Sequence, residues 1–154
     1  MTEGCTNKSV GTIVRNDGKI LLIERKNMPY GFACPAGHVD PREDFEACAK
    51  RELFEETGLT AIKVKFLIEG RQEGICRRGG TFHDWKVYEV EVQGDIKPSE
   101  REMKQIGWYS LDKIHKLGEK TKKYVARQIS ETNWQKSPGL EMAWFNWFSK
   151  LGII

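Results

Sequence analysis

Residues 37–59 read GHVDPREDFEACAKRELFEETGL, and this stretch decides the fold of the chain. Asp and Glu are concentrated around residues 43–46, in the first turn of a predicted helix, where the N-terminus of a helix favours negative charge. Gly58 stands where a helix would stop. The pattern therefore predicts a helix from about Asp44 to Thr57.

One face of this helix is predicted to change from apolar to acidic along its length. An apolar stripe begins at i, i+3, i+4 spacing with Phe45, Cys48 and Ala49. The next polar members of the same arc are Glu52, Glu55 and Glu56. Carboxylates at this spacing repel one another, and we expect the neighbouring Arg51 to neutralise one of them but not three. Clustered oxygen ligands suit Mg²⁺ or Mn²⁺; the alternative is a solvated acidic face with i,i+4 partners.

The residues around the helix favour the metal-binding interpretation. Five residues separate Gly37 from Glu43, and seven more separate Glu43 from the segment Arg51 to Leu59. The whole pattern fixes nine positions over 23 residues. This pattern resembles the complete box of the Nudix hydrolases of the MutT type. A hairpin that ends in Arg25 and a strand that ends at Trp108 are also similar to the layout of that family.

The resemblance implies a fold and an extent. We expect an α/β fold, an α/β/α sandwich with a central mixed sheet, formed by a single domain over residues 1–154. Strand patterns lie at 10–14, 20–24, 61–69, 82–92 and 106–109. A C-terminal helical segment from about 111 to 154 is expected to contain helices near 111–117, 121–130 and 140–151.

The resemblance also implies roles for the residues of the box. Glu52, Glu55 and Glu56 match the metal-binding glutamates of the family, and the backbone carbonyl of Gly37 is expected to add an oxygen ligand. Glu52 and Arg51 are expected to be catalytic residues. Arg51 and Glu43 are also expected to orient the metal ligands, and Glu43 is a candidate for substrate binding. Ala36 departs from the family, which commonly has glycine there.

Two further roles are implied outside the box. Arg25 resembles a position that contacts substrate phosphate, although it could instead be a surface arginine paired with Glu24 or Glu43. The general base is expected to be Glu102, six residues before Trp108. The alternatives are Glu100 and Glu52, and the loop glutamates could also be no more than solvated charges.

Composition limits the class of protein. The chain has 154 residues, a net charge of +3 and a pI of about 8.6. This mild basicity suits an anionic small-molecule substrate but lacks the dense Lys/Arg clustering of a nucleic-acid binder. The polar start, residues 1–9, and the absence of an apolar run of about 18 residues predict a soluble cytoplasmic protein without a membrane segment.

The cysteines, histidines and aromatic residues carry weaker signals. Cysteines stand at 5, 34, 48 and 76 without a CxxC pair, which predicts ordinary buried thiols rather than a disulfide framework or a zinc knuckle. Cys34 and His38 alone do not make a zinc site, and His83 and His115 are assigned no chemistry. The aromatic stripe at 140–151 predicts core or homodimer packing rather than base stacking. The Gly/Arg-rich segment 71–80 is either a solvated hairpin tip or an anion-binding loop.

Three functions are compatible with these patterns. The first is hydrolysis of phosphoanhydride bonds in nucleotides, with ADP-ribose or nucleotide sugars as the alternative substrates to nucleoside triphosphates. The proline associated with ADP-ribose hydrolases is absent near residues 73–76, which favours triphosphates. The second is a non-catalytic nucleotide sensor, but such domains typically lose box glutamates and none is lost here. The third, an RNA-directed enzyme, draws on the basic pI and the aromatic C-terminus.

Overall fold

The computed structural model describes residues 4–154, so the first three residues of the polar N-terminal segment lie outside the described residues. Within the described residues, the chain divides into two compact units, one made of residues 4–14 and 35–97 and the other of residues 15–34 and 98–154. Each unit contains a sheet and at least one helix.

The first unit is built on a four-stranded mixed sheet. Its elements are β1 (Lys8–Ile13), β5 (Ala36–His38), α1 (Phe45–Thr57), β6 (Thr60–Glu73) and β7 (Phe82–Gln93). The strand order is β5-β1-β7-β6, in which β1 and β7 run parallel and the other two pairs are antiparallel. The α/β class with a mixed sheet is therefore confirmed. The strand β1 is buried over most of its length, as expected for a central strand covered on both faces.

The second unit combines an antiparallel sheet with three helices. Its strands are β2 (Arg15–Asn16), β3 (Lys19–Arg25), β4 (Phe32–Ala33) and β8 (Met103–Ser110), and its helices are α2 (Leu111–Val125), α3 (Glu131–Lys136) and α4 (Met142–Lys150). The strand β3 pairs with the other three strands. Its central residues, 20–23, are almost fully buried.

The hairpin around Asp17-Gly18 differs from the expected one. Both residues adopt positive φ, at 54° and 76°, as a tight hairpin turn requires. The partner of β3 across this turn is the two-residue strand β2 and not the predicted strand 10–14. The latter, as β1, pairs instead with β5 and β7 and is an inner strand of the other sheet.

The helices of the C-terminal segment also differ from those predicted. The separate helices predicted near 111–117 and 121–130 are one helix, α2, whose buried residues Ile114, Gly118 and Thr121 form a single i, i+4, i+7 stripe. Gly118 therefore does not interrupt it. Residues 131–136 form the unpredicted short helix α3, which begins at the capping residue Ser130.

The aromatic residues of α4 belong to the core of the second unit. Trp144, Trp147 and Phe148 are at most 1% exposed. Burial of this kind contributes about 2 kcal/mol or more for each side chain. The predicted choice of packing over base stacking is confirmed for these three residues. No helix within residues 4–154 is long and apolar enough to cross a membrane.

Candidate active site

The helix α1 begins and ends at the residues that its sequence predicts. The Asp44 carboxylate accepts a hydrogen bond of 2.7 Å from the backbone N–H of Ala47, which caps the N-terminus. At the other end Gly58 adopts the left-handed conformation, with φ of 77°, and its N–H donates to the carbonyl of Phe54. These two caps fix the register of the carboxylates between them.

The three glutamates of the acidic arc differ in their exposure. Glu56 is buried at 7% exposure, and the side chain of Glu52 is 17% exposed. The side chain of Glu55 is 56% exposed. Because the arc continues an apolar stripe, the sequence predicts that all three carboxylates point toward the body of the protein. This is correct for Glu52 and Glu56 and wrong for Glu55. The reason is geometric, since Glu55 lies at the edge of the arc.

Arg51 gathers carboxylates from both the helix and the preceding loop. Its Nε and Nη2 donate to the two oxygens of Glu43 at 2.6 and 2.8 Å. Its Nη1 donates to Glu52 at 2.9 Å and to Glu55 at 3.1 Å. Arg51 therefore neutralises two members of the acidic arc, where the sequence led us to expect one. The planar guanidinium makes this feasible because its donors point in several fixed directions.

The Glu43–Arg51 ion pair is strongly polarised. Hydrogen bonds from Arg51 lower the pKa of the Glu43 carboxyl to about 2. Hydrogen bonds to Glu43 likewise raise the pKa of Arg51, so both groups are charged at every physiological pH. The neighbouring Cys48 thiol has a raised pKa, chiefly through burial and then through Glu43, and it remains protonated.

Gly37 lies against the carboxyl group of Glu52. A Cβ atom at position 37 would collide with the side-chain carboxyl carbon of Glu52 and would lie 2.5 Å from its Oε1. Only glycine leaves room for the carboxylate at this point. The strand β5 and the helix α1 thereby bring the Gly37 backbone and the Glu52 side chain together, as the box pattern predicts.

The residues of the arc fit a hard divalent cation. Their donors are carboxylate oxygens, and the Glu52 carboxylate packs directly against the backbone of Gly37. Mg²⁺ and Mn²⁺ prefer such all-oxygen sets. Arg51 offsets part of the negative charge, and a cation would offset the rest.

Two other predicted residues lie together in the second unit. Arg25 ends β3 opposite Met103, and Glu102 immediately precedes β8. The N–H of Lys26 donates to the carbonyl of Glu102 at 3.1 Å, which fixes the loop beside the strand end. The side chains of Glu100 and Glu102 are exposed.

Arg25 is held by backbone carbonyls. Its Nε donates to the carbonyl of Pro29 at 2.7 Å, and its Nη2 lies 3.5 Å from that of Met28. Glu24, one of the partners considered for Arg25, is instead buried and bonded to Gln105 and Lys104. Arg25 is therefore positioned by the loop 28–29, and its phosphate-binding role stays a prediction.

The segment 71–80 consists of the last residues of β6 and most of the tip that connects β6 with β7. Arg71, one of its arginines, forms two hydrogen bonds with Asp84 at 2.8 and 3.2 Å and lies 3.9 Å from the ring centroid of Phe82. These contacts engage Arg71 within the hairpin, whereas Arg77 and Arg78 are exposed. The geometry favours the solvated hairpin tip over an anion-binding loop.

The sequence did not reveal one cluster of side chains in the first unit. Cys34 and Cys48 are ordinary buried thiols, as expected. Cys5 and Cys76, however, are only half-buried and lie with His38 and His83 in one group. The sequence gives His83 no partner because the other three members of this group are 7 to 78 positions away along the chain. None of the three glutamates of the acidic arc belongs to this group.

Comparison with known proteins gives a consistent result. The model of the NUDIX domain matches residues 6–129. The ADP-ribose pyrophosphatase of Methanocaldococcus jannaschii is 36% identical over 113 residues, which cover 71% of this chain and 64% of that protein. The chain thus spans slightly less than two thirds of this relative's length. Phosphatase NudJ of Shigella boydii is 26% identical over 160 residues. This alignment covers 95% of this chain and 96% of NudJ.

The fold is found in solved structures as well. The MutT protein of Methanosarcina mazei aligns with a TM-score of 0.68 at 23% identity. The alignment covers 99% of this chain and 96% of that protein. It therefore extends to the C-terminal helices that lie beyond the matched domain model.

Proposed function

Because this chain belongs to the Nudix family, we propose that it is a pyrophosphohydrolase that cuts a phosphoanhydride bond in substrates built on a nucleoside diphosphate. The observation that carries this proposal is the arc of Glu52, Glu55 and Glu56 with Arg51 bonded to two of its members. A domain that only senses nucleotides would not need to keep all three carboxylates. The name of the archaeal relative, an ADP-ribose pyrophosphatase, supports the same reaction class.

The proposed cofactor is Mg²⁺ or Mn²⁺, held by Glu52, Glu55 and Glu56 with the Gly37 carbonyl. When bound, such a cation withdraws charge from the substrate phosphates and makes a water molecule more acidic. The all-oxygen donor set and the lack of space for any side chain at Gly37 support this assignment.

Arg51 and Glu43 act in this proposal as positioning residues. Two hydrogen bonds to Glu43 fix the plane of the Arg51 guanidinium, and its Nη1 then holds one oxygen of Glu52 and one of Glu55. Loss of either partner would let the carboxylates move apart. An additional contact of Glu43 with substrate stays a prediction.

The proposed general base is Glu102, which would take the proton from the attacking water. Glu102 ends the turn 99–102, its side chain is exposed, and its backbone carbonyl accepts a hydrogen bond from Lys26 just after β3. Glu52 is the competing base because an acid that binds the cation also borders its water, and Glu100 is the other loop candidate. Arg25, next to Glu102 at the same strand end, is proposed to bind a substrate phosphate.

We further propose that the whole chain works as one Nudix domain. The matched range 6–129 contains segments of both compact units, which supports treating them as parts of a single domain.

Two substrate classes remain in competition. The lack of proline near residues 73–76 favours nucleoside triphosphates. The 36% identity to an ADP-ribose pyrophosphatase favours ADP-ribose as the second candidate. Both contain the phosphoanhydride bond on which the proposed site would act.

A hydrolysis screen of the purified chain tests the proposal. Nucleoside triphosphates, ADP-ribose, nucleotide sugars and dinucleotides are incubated with Mg²⁺ and, separately, with Mn²⁺, and the products are separated by chromatography. We expect cleavage between phosphates of at least one class, and its loss in Glu56→Gln. Tight nucleotide binding without turnover in either metal would instead identify a non-catalytic sensor.

A further inference from the structure

Four side chains with metal-binding atoms converge at one end of the first unit. They are Cys5, His38, Cys76 and His83, and their ligand atoms all lie within 4.8 Å of one another. They come from four places in the chain: the segment before β1, the end of β5, the hairpin tip and the start of β7. Two sulfurs and two imidazoles form a donor set unlike the carboxylates of the box.

The spacing of these atoms matches tetrahedral coordination. The Nε2 atoms of His38 and His83 are 3.3 Å apart, and Nε2 of His83 is 3.4 Å from Sγ of Cys5. Zinc bonds of about 2.0–2.1 Å to nitrogen and about 2.3 Å to sulfur place tetrahedral ligands about 3.3 Å apart for two nitrogens and about 3.5 Å for nitrogen and sulfur. The two distances between ligand atoms in the structure, 3.3 and 3.4 Å, agree with these values.

The backbone around the two thiols is arranged to support thiolates. The N–H of Asn7 donates to Sγ of Cys5 at 3.3 Å, and the N–H of Gly80 donates to Sγ of Cys76 at 3.3 Å. Hydrogen bonds of this kind stabilise the charged form of a ligand and fix its direction.

Gly80 also gives the thiols the space they need. A Cβ atom at this position would lie 2.5 Å from Sγ of Cys5 and 3.3 Å from Sγ of Cys76. The bare backbone of Gly80 therefore packs against both sulfurs at once. A larger residue at position 80 would push them apart.

The segment that carries Cys5 is tied to the strand that carries His83. The side chain of Asn7 donates to the carbonyl of Phe82 at 2.9 Å, and the N–H of Asp84 donates to the carbonyl of Asn7 at 2.8 Å. Thr6 donates to the carbonyl of Val39, next to His38, at 2.6 Å. These bonds hold the ligands in place without the participation of their own side chains.

We propose that Cys5, His38, Cys76 and His83 bind one Zn²⁺ ion in a closed tetrahedral site with a structural role. Two thiolates neutralise the charge of the ion, and both thiols release their protons on binding. Four protein ligands leave no position for water or substrate, which distinguishes a structural zinc from a catalytic one. The box carboxylates are hard ligands, so the two sites select different metals.

The site would stabilise the hairpin tip and the beginning of the box. His38 directly follows Gly37, and the His38 carbonyl accepts hydrogen bonds from the Cys48 thiol at 3.3 Å and from Arg51 at 3.4 Å. A metal bond to the His38 ring would therefore fix the strand end from which the box departs. The proposal does not depend on the hydrolase reaction, because its readouts are metal content and stability.

The test begins with the metal content of the intact chain, purified without chelators or an affinity metal. We expect about one zinc per chain by elemental mass spectrometry. A thiol-specific mercurial should release that zinc as two thiols react. Replacement by Co²⁺ should give the visible bands of a tetrahedral site and a thiolate charge-transfer band in the near ultraviolet. These measurements need no variant and so do not depend on whether a mutant folds.

Variants then locate the ion. Cys76→Ser and His83→Ala should lose the zinc and melt at a lower temperature, and added Zn²⁺ should no longer raise the melting temperature. Cys34→Ala and His115→Ala are the matched controls, since Cys34 belongs to the second unit and His115 is an exposed residue of α2. Both controls should keep the full zinc content.

Three results would overturn the proposal. The first is a chain that neither contains zinc nor binds it when Zn²⁺ is added. The second is zinc that Cys76→Ser and His83→Ala retain, which would assign it to the carboxylates. The third is a Cys5–Cys76 disulfide, detected by mass spectrometry of the freshly purified protein, because sulfurs joined in a disulfide cannot serve as two thiolate ligands.

Discussion

The backbone of Gly37 and the carboxyl group of Glu52 lie in such close contact that a single added methyl group would displace the carboxylate. Gly37 does not adopt a left-handed conformation, so alanine meets no backbone obstacle there. The three atoms nearest to an added methyl group all belong to Glu52, so alanine at this position tests that contact first.

We predict that Gly37→Ala weakens Mn²⁺ binding by about 10- to 100-fold, the range for disturbed support of a metal ligand, and lowers kcat/KM with it. Binding is measured by electron paramagnetic resonance. Gly4→Ala is the control, because a Cβ at Gly4 has no atom within 4 Å. Unchanged Mn²⁺ affinity in Gly37→Ala would show that Glu52 does not bind the cation from this position.

The Glu43–Arg51 ion pair makes a prediction about pH. Glu43 has its pKa lowered to about 2 by Arg51, so the pair contributes its full stability above the ordinary pKa of glutamate and loses it as pH falls toward 2. Glu43→Gln should therefore cost about 1–3 kcal/mol at pH 7, as expected for hydrogen bonds to a charged group.

Urea denaturation of both proteins at several pH values measures this cost. The difference between wild type and Glu43→Gln should shrink as pH falls from about 5 toward 3, because the wild type loses the contribution that the variant lacks. A difference that stays constant over this range would mean that the ion pair is not the source of the stability.

Metal binding should be linked to folding through the buried Glu56. Carboxylates that repel one another without a cation make the native state gain stability when one binds. We predict that Mn²⁺ raises the melting temperature of the wild type and that Glu56→Gln reduces this rise while its metal-free form stays folded. Glu46→Gln, an exposed change in the first turn of α1, should respond like the wild type. A metal-free Glu56→Gln that unfolds would give this residue a structural role.

The choice of general base is decided by comparing three variants. Glu102→Gln should lower kcat by about 10²- to 10⁴-fold with little change in substrate affinity or melting temperature. Glu100→Gln should retain most of its rate. If Glu102→Gln keeps more than about half its rate while Glu52→Gln is inactive, the base belongs to the helix.

The sequence predicted the helix α1 and its acidic arc because both are local patterns. Periodicity and capping residues report on neighbours three or four positions away, and the ends of α1 agree with them. The same reasoning predicted the burial of Trp144 and Trp147. The sequence pattern predicts two helices that separate at Gly118, whereas α2 is continuous there. Packing of its buried stripe outweighs the low helix propensity of glycine.

Local sequence patterns do not predict contacts between segments that lie far apart in the chain. The pairing of β1 with β7 joins residues about 75 positions apart, and nothing local distinguishes it from pairing with β3. The cluster of Cys5, His38, Cys76 and His83 could not be predicted from the sequence for the same reason. No two of its members have the short spacing of a zinc knuckle. Arg51 was counted as a single charge, although its planar group contacts several carboxylates at once.

The most direct test of the proposed function is the hydrolysis rate on the best substrate of the screen as metal is removed and restored. The chain is treated with EDTA, freed of the chelator and assayed, and Mg²⁺ or Mn²⁺ is then added back. The proposed chemistry at Glu52, Glu55 and Glu56 predicts that turnover disappears on chelation and returns with the divalent ion, to a saturating level. Full turnover in excess EDTA would contradict the account at its centre.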